Sequence, residues 1–200
     1  MTTSAPQAVT VERDWRGRRA LAWWTRHCHP RDGDPATRAK LRRCRSAVEA
    51  LSVPAAVALA RVLIGQGVLP GVDDWRWSAG LDLARVLAHV AEHDPARSVM
   101  RSAGWRTFPG DRKESEAGDD RPRLSEARFR RLVETGRGEE QVDAFTRLIA
   151  LLDGSVNVSM LAEDFWYWSD RTKRRWAFDY YAAGIAAPAD GATPFEDSDE

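Results

Sequence analysis

The sequence predicts an all-α protein built from two small helical bundles joined by a charged loop. Three observations carry this. Apolar residues recur at helical spacing along most of the 200 residues. Alternating, β-branched runs of the kind that form strands are scarce. Gly and Pro punctuate the chain at intervals that suit helices of two to five turns.

A first helix is expected from about Val11 to Cys28, with Trp15, Leu21, Trp24 and Cys28 near one face. Pro30 to Pro35 is a loop. Pro35 suits the first turn of a second helix, which carries Leu41, Cys44, Val48 and Leu51 in one stripe. Ser52 caps a helix opening at Val53-Pro54, apolar nearly all round and therefore central. Ser78 caps the next, with Leu81, Leu83, Val86, Leu87 and Val90 inside. Pro95 opens a short helix ending near Gly104. Pro109 to Pro122 is charged, holds two glycines and lacks an apolar stripe, so it reads as a mobile connection. Ser125 then caps a helix with Phe129, Leu132 and Val133 inward. Glu139 to Leu152 is amphipathic and is closed by Gly154. Asn157 or Ser159 starts a helix containing Leu161, Phe165 and Trp168. A last helix runs from about Asp170 to Ala183. The expected division is thus 11–104, an N-terminal bundle; 105–123, a mobile linker; 124–183, a C-terminal bundle; and 184–200, a disordered acidic tail.

With 43% hydrophobic and 30% charged residues, a folded soluble protein is expected. No run approaches the roughly 18 apolar residues that a membrane span needs. Met1–Thr10 shows no secretory pattern, so a cytoplasmic location is expected. Cys28 and Cys44 are too few for a disulfide framework.

Net charge is zero, but the charges are segregated. Residues 11–50 hold eleven bases against five acids, residues 121–137 six against two, and residues 190–200 five acids with no base. A polyanion responds to local potential more than to the total. Only Lys40, Lys113 and Lys173 are lysine. The remaining cations are guanidinium forks, which match phosphate geometry, although a GC-rich coding bias yields the same excess.

Catalytic constellations are few. His89-Val90-Ala91-Glu92-His93 matches H-x-x-E-H, an inverted zinc-protease signature. On a helix its histidines share a face and Glu92 would act as general base, which makes a zinc-dependent hydrolase the alternative reading. No third ligand is evident, and Asp94-Pro95 ends the helix at once. His27-Cys28-His29 with Cys44 is a poorer metal set, because the two histidines diverge on a helix; core cysteines explain it better. No phosphate-binding glycine loop or nucleophile elbow is present. Glu163 and Asp164 are adjacent, hence divergent, and read as solvated or ion-paired. Phe165-Trp166-Tyr167-Trp168 offers stacking surfaces, yet four consecutive aromatics cannot share a helix face. Neither a cofactor nor catalysis is expected.

Three basic clusters stand out. Arg38, Arg42 and Arg45 follow helical spacing, flanked by Lys40 and Arg43. Arg128, Arg130 and Arg131 surround Phe129 and Leu132. Arg171, Lys173, Arg174 and Arg175 precede Trp176. Any one cluster is an ordinary solvated helix face. Three of them in a chain of zero net charge point to sequence-blind, salt-sensitive contact with nucleic-acid backbone.

The same stretches carry a family resemblance. Arg38-Ala39-Lys40-Leu41-Arg42-Arg43, the segment Arg123 to Leu132, and above all Val156 to Tyr180 resemble CasB, the small subunit of the type I-E CRISPR Cascade complex. Trp24 fits as well, and the likeness runs from about Trp15 to Tyr181. It implies two helical bundles, other Cascade subunits and a second copy of the chain as partners, and a non-catalytic role in antiviral defence. That role is to steady guide RNA and unwound target DNA, while the guide reads the sequence. The long charged stretch 109–122 and the acidic tail depart from the shared pattern.

Overall fold

The computed structural model describes residues 8–65, 71, 74–105 and 121–181, with side chains from Trp15 onward. Most of the expected 105–123 connection and the 184–200 tail lie outside the described residues.

Helix α1 (Ala8–His27) buries Ala20, Trp23 and Trp24 and runs into buried Cys28. Helix α2 (Pro35–Arg43) has proline in its first turn, and the Asp34 carboxylate accepts the Ala36 N–H at 2.9 Å. The single apolar stripe expected from Leu41 to Leu51 does not form. Cys44 turns extended, and a new short helix, α3 (Ala47–Ala50), starts at Ser46. The cause is a local Ser-x-x-Glu cap: Ser46 accepts the Glu49 N–H, and the Glu49 carboxylate reaches back to the Arg45 N–H at 2.8 Å. Val48 and Leu51 consequently face outward, 75% and 52% exposed.

Helix α4 (Pro54–Ile64) begins after Val53. Ser52, the expected cap, instead donates to the Glu49 carbonyl. Helix α5 (Trp75–Leu87) starts three residues before the expected Ser78, because Asp74 accepts the Arg76 N–H. Every residue from Gly80 to Ala88 is buried, so α5 is the central helix. It packs on α3 and α4. The α4–α5 approach requires Gly80, since a Cβ there would lie 2.6 Å from the Ala60 Cα. Gly80→Ala should therefore destabilise the chain by about 1–3 kcal/mol through overpacking. Its melting temperature should fall by several degrees at roughly 2–4 °C per kcal/mol, and an unchanged melting curve would contradict this packing.

After α5 the chain forms β1 (Glu92–His93), then α6 (Val99–Ala103), capped by Ser98. Helix α7 (Glu126–Glu134) buries Phe129 and Leu132, and α8 (Glu139–Leu151) follows Gly138. Strand β2 (Ser155–Val156) pairs in parallel with β1. Helix α9 (Val158–Trp166) starts at Asn157, whose side chain accepts the Met160 N–H. Helix α10 (Asp170–Tyr181) closes the described chain.

The strand pair displaces the helical reading of His89 to His93. α5 has ended at Leu87, and Glu92 and His93 lie on β1, so the histidines do not share a helix face. His93 Nδ1 accepts the Val158 N–H at 3.1 Å at the start of α9. No group of metal-ligating side chains gathers among the described residues.

The two stretches expected as separate bundles share one buried cluster. α1 lies along α9, where the Gly17 N–H donates to Glu163 at 2.7 Å, and α5 packs on α8 and α9. Arg85 crosses the same boundary. It donates to Asp82 (2.7 Å) beside it on α5, to Glu139 (2.8 Å) on α8, and to the Cys44 carbonyl (3.2 Å). No helix among the described residues is long and apolar enough to cross a membrane.

Candidate nucleic-acid interface

The first basic cluster sits at the C-terminal end of α2, where cations favour the helix dipole. Lys40, Arg42, Arg43 and Arg45 are exposed. Arg38 is not free: its Nε donates to the Ala88 carbonyl (3.0 Å) and its Nη2 to the Val90 carbonyl (3.1 Å). It fastens α2 to the end of α5. Arg45 lies beyond the helix, so the Arg38–Arg42–Arg45 stripe is interrupted by the same break that creates α3. Lys40 and Arg43 edge a shallow depression of about 420 Å³ that also holds Val48 and Ser52. Half-buried His89 faces this cluster. Burial, then Arg42, Arg38 and Arg85, hold its imidazole below the usual histidine range.

The second cluster is the most exposed. Arg128, Arg130 and Arg131 all reach solvent from α7, and none has an ion pair among the described residues. Arg128 and Arg131, with Arg147 of α8, rim a groove of about 630 Å³ floored by Leu124, Leu132, Leu148 and Leu151. Asp143 and Glu140 stand on the α8 wall, and Asp143 pairs with Arg147 at 3.2 Å. Arg130 lies outside the groove lining. Arg147 had no sequence signal beyond an i, i+4 partner on an amphipathic helix.

The third cluster divides. Arg171 and Arg174 are exposed on α10. Lys173 donates to the Thr135 carbonyl (3.2 Å) and lies 5.4 Å from the Trp168 ring centre, tying α10 to the end of α7. Arg175 pairs with Asp164, which is buried beneath it on α9. Burial pushes the Asp164 carboxyl above the usual carboxylate range, against the pull of Arg175 and of the Trp176 N–H.

The clusters are connected through the fold. Lys173 reaches Thr135, which lines the α7–α8 groove. Arg85 spans from the Cys44 carbonyl, at the end of α2, to Glu139 at the start of α8. The aromatic run offers little to a base: Phe165, Trp166 and Trp168 are buried and Tyr167 is half-buried.

The described residues form a mostly helical module of the cationic kind, with basic side chains exposed on α2, α7 and α10. A family model described as CRISPR-associated protein Cse2 matches residues 37–181, and the chain belongs to that family, the CasB small subunits of type I-E Cascade. Among solved structures, the chain resembles a component of E. coli Cascade bound to a PAM-containing double-stranded DNA target. The TM-score is 0.52 at 17% identity, covering 90% of this chain and 98% of that one. That likeness is one of fold. No curated protein matches the chain.

Proposed function

We propose that the chain is the non-catalytic small subunit of a type I-E Cascade, holding guide RNA and unwound target DNA by their backbones in the cytoplasm. Membership of the Cse2 family over residues 37–181 is the observation that carries this reading. The physical support is the exposed guanidiniums of α7, which have no ion pair among the described residues and suit phosphate without reading sequence. The other components of the complex and a second copy of this chain are its partners. Lys40, Arg42, Arg43, Arg45, Arg130, Arg171 and Arg174 extend the cationic surface. Arg38, Lys173 and Arg175 act mainly by fixing the helices that present it.

The test is assembly. A tagged chain expressed with its companion proteins and a guide RNA should co-purify with both as one particle. Recovery of the chain alone, with guide RNA assembled elsewhere, would sink the reading. Isolated, the chain should bind single-stranded DNA weakly, with log affinity falling against log salt by about 0.7 per phosphate neutralised.

A further inference from the structure

The α7–α8 groove is more than a row of cations. Its α7 rim is basic through Arg128 and Arg131, its α8 wall carries Glu140 and the Asp143–Arg147 pair, and its floor is leucine. A sugar–phosphate backbone satisfies the rim and leaves the floor uncovered. A peptide that carries one aromatic side chain followed by carboxylates satisfies both. The chain contains such a segment in Phe195-Glu196-Asp197-Ser198-Asp199-Glu200, within a stretch from Asp190 that holds five acids and no base.

Helix α10 brings the chain to the groove wall. Tyr180 stacks on Phe129 of α7 with ring centres 4.1 Å apart, and Tyr181 meets the same ring edge-on at 6.0 Å. The Tyr180 hydroxyl donates to the carbonyl of Leu124, itself a floor residue, at 2.7 Å. Residues 182–194 then separate Tyr181 from Phe195. Thirteen residues extend to roughly 40 Å, well beyond the roughly 10–12 Å thickness of the helix to be rounded.

We propose that this groove binds an acidic peptide with an aromatic anchor, and that its occupant is the chain's own segment 190–200. An aromatic side chain such as that of Phe195 suits the leucine floor, and carboxylates such as those that follow it suit Arg128 and Arg131. The consequence, which rests on the nucleic-acid reading above, is competition: the segment shields α7 until phosphate displaces it. A short tether supplies an effective concentration of about 1 mM. A segment with an intrinsic dissociation constant of about 0.1 mM would therefore fill the groove roughly 90% of the time and weaken phosphate binding there about tenfold.

The test uses the full chain carrying E196Q, D197N, D199N and E200Q, titrated against a fluorescent peptide of residues 182–200, with no nucleic acid present. Saturable binding is expected, lost on adding R128A and R131A. The native chain should bind the peptide about tenfold more weakly, because its own segment competes. Equal peptide binding with and without Arg128 and Arg131, equal binding by native and neutralised chains, or no binding at all would each overturn the inference. Labelled single-stranded DNA forms a second arm. A gain of about tenfold in its affinity on neutralising the segment supports the competition. Peptide docking in a chain that binds no DNA keeps the groove assignment and removes only the nucleic-acid reading. DNA binding at Arg128 and Arg131 without peptide docking assigns the groove to nucleic acid alone and overturns the inference.

Discussion

Trp176→Ala should lower the stability of the chain by about 3–5 kcal/mol, the range for truncating a fully buried aromatic. Trp176 is 1% exposed. Its ring meets Phe145 at 5.2 Å and Trp168 at 4.9 Å between centres, and Phe145 also meets Phe165, so one deletion loosens α8, α9 and α10 together. A second effect adds to the cavity. The indole Nε1 donates to Asp164 at 2.6 Å, and loss of that donor leaves a buried carboxylate with Arg175 as its remaining partner. Trp176→Phe keeps a buried aromatic ring, loses the N–H and leaves a smaller cavity than alanine, and should lower stability by about 1.5–3 kcal/mol, the range for a hydrogen bond to a charged group. Urea unfolding followed by far-UV ellipticity measures both. If Trp176→Phe matched the parent, the Asp164 contact would have no stabilising role; if both variants did, the cluster would not be the core of this region.

The residues around that cluster mark how far sequence reasoning reaches. Phe145 is legible as a helix face because helical period places it inward, whereas Trp168, expected on the same helix as Phe165, is buried in the connection after α9 ends at Trp166. The partner of Asp164 was not legible: ion pairing was one expected fate, but Arg175 is eleven positions away across a helix break. Arg38 shows the same limit more sharply. It belongs to a convincing basic stripe, and only the tertiary fold brings the Ala88 and Val90 carbonyls to its guanidinium. Local chemistry misled in two places. Ser46 and Glu49 cap α3 through the Glu49 and Arg45 N–H groups and override the apolar period from Leu41 to Leu51, and their Ser-x-x-Glu spacing is readable. The β1–β2 pair was not, since two-residue strands leave no periodic trace and their pairing spans 63 positions, from Glu92 to Ser155. That pair is what takes His93 away from His89 and onto the start of α9. The α7–α8 groove lay between these extremes. Arg128 and Arg131 were visible in sequence, whereas Arg147 enters only because α8 lies beside α7.

These distinctions lead to a split between binding and stability. R128E/R131E should weaken single-stranded DNA binding about a hundredfold, from two charge-assisted contacts at about 1.5 kcal/mol each and a factor of ten per 1.4 kcal/mol. The salt slope should flatten by about 1.4, two phosphates at about 0.7 each. The melting temperature should stay within a degree or two, because both side chains are exposed and neither has an ion pair among the described residues. Arg38→Ala and Arg175→Ala should do the reverse. The first leaves the Ala88 and Val90 carbonyls without their guanidinium, at about 1–3 kcal/mol. The second removes the ion-pair partner of Asp164, at about 1–2 kcal/mol after allowing for screening of a guanidinium that is 51% exposed. Both should retain DNA affinity within a few-fold at temperatures where they are folded. The informative measurement is therefore paired, a salt titration of binding and a melting curve on the same three variants. Binding loss that tracked melting temperature across the set would mean that the arginines act through the fold. Binding loss confined to Arg128 and Arg131 would place the phosphate contact on α7.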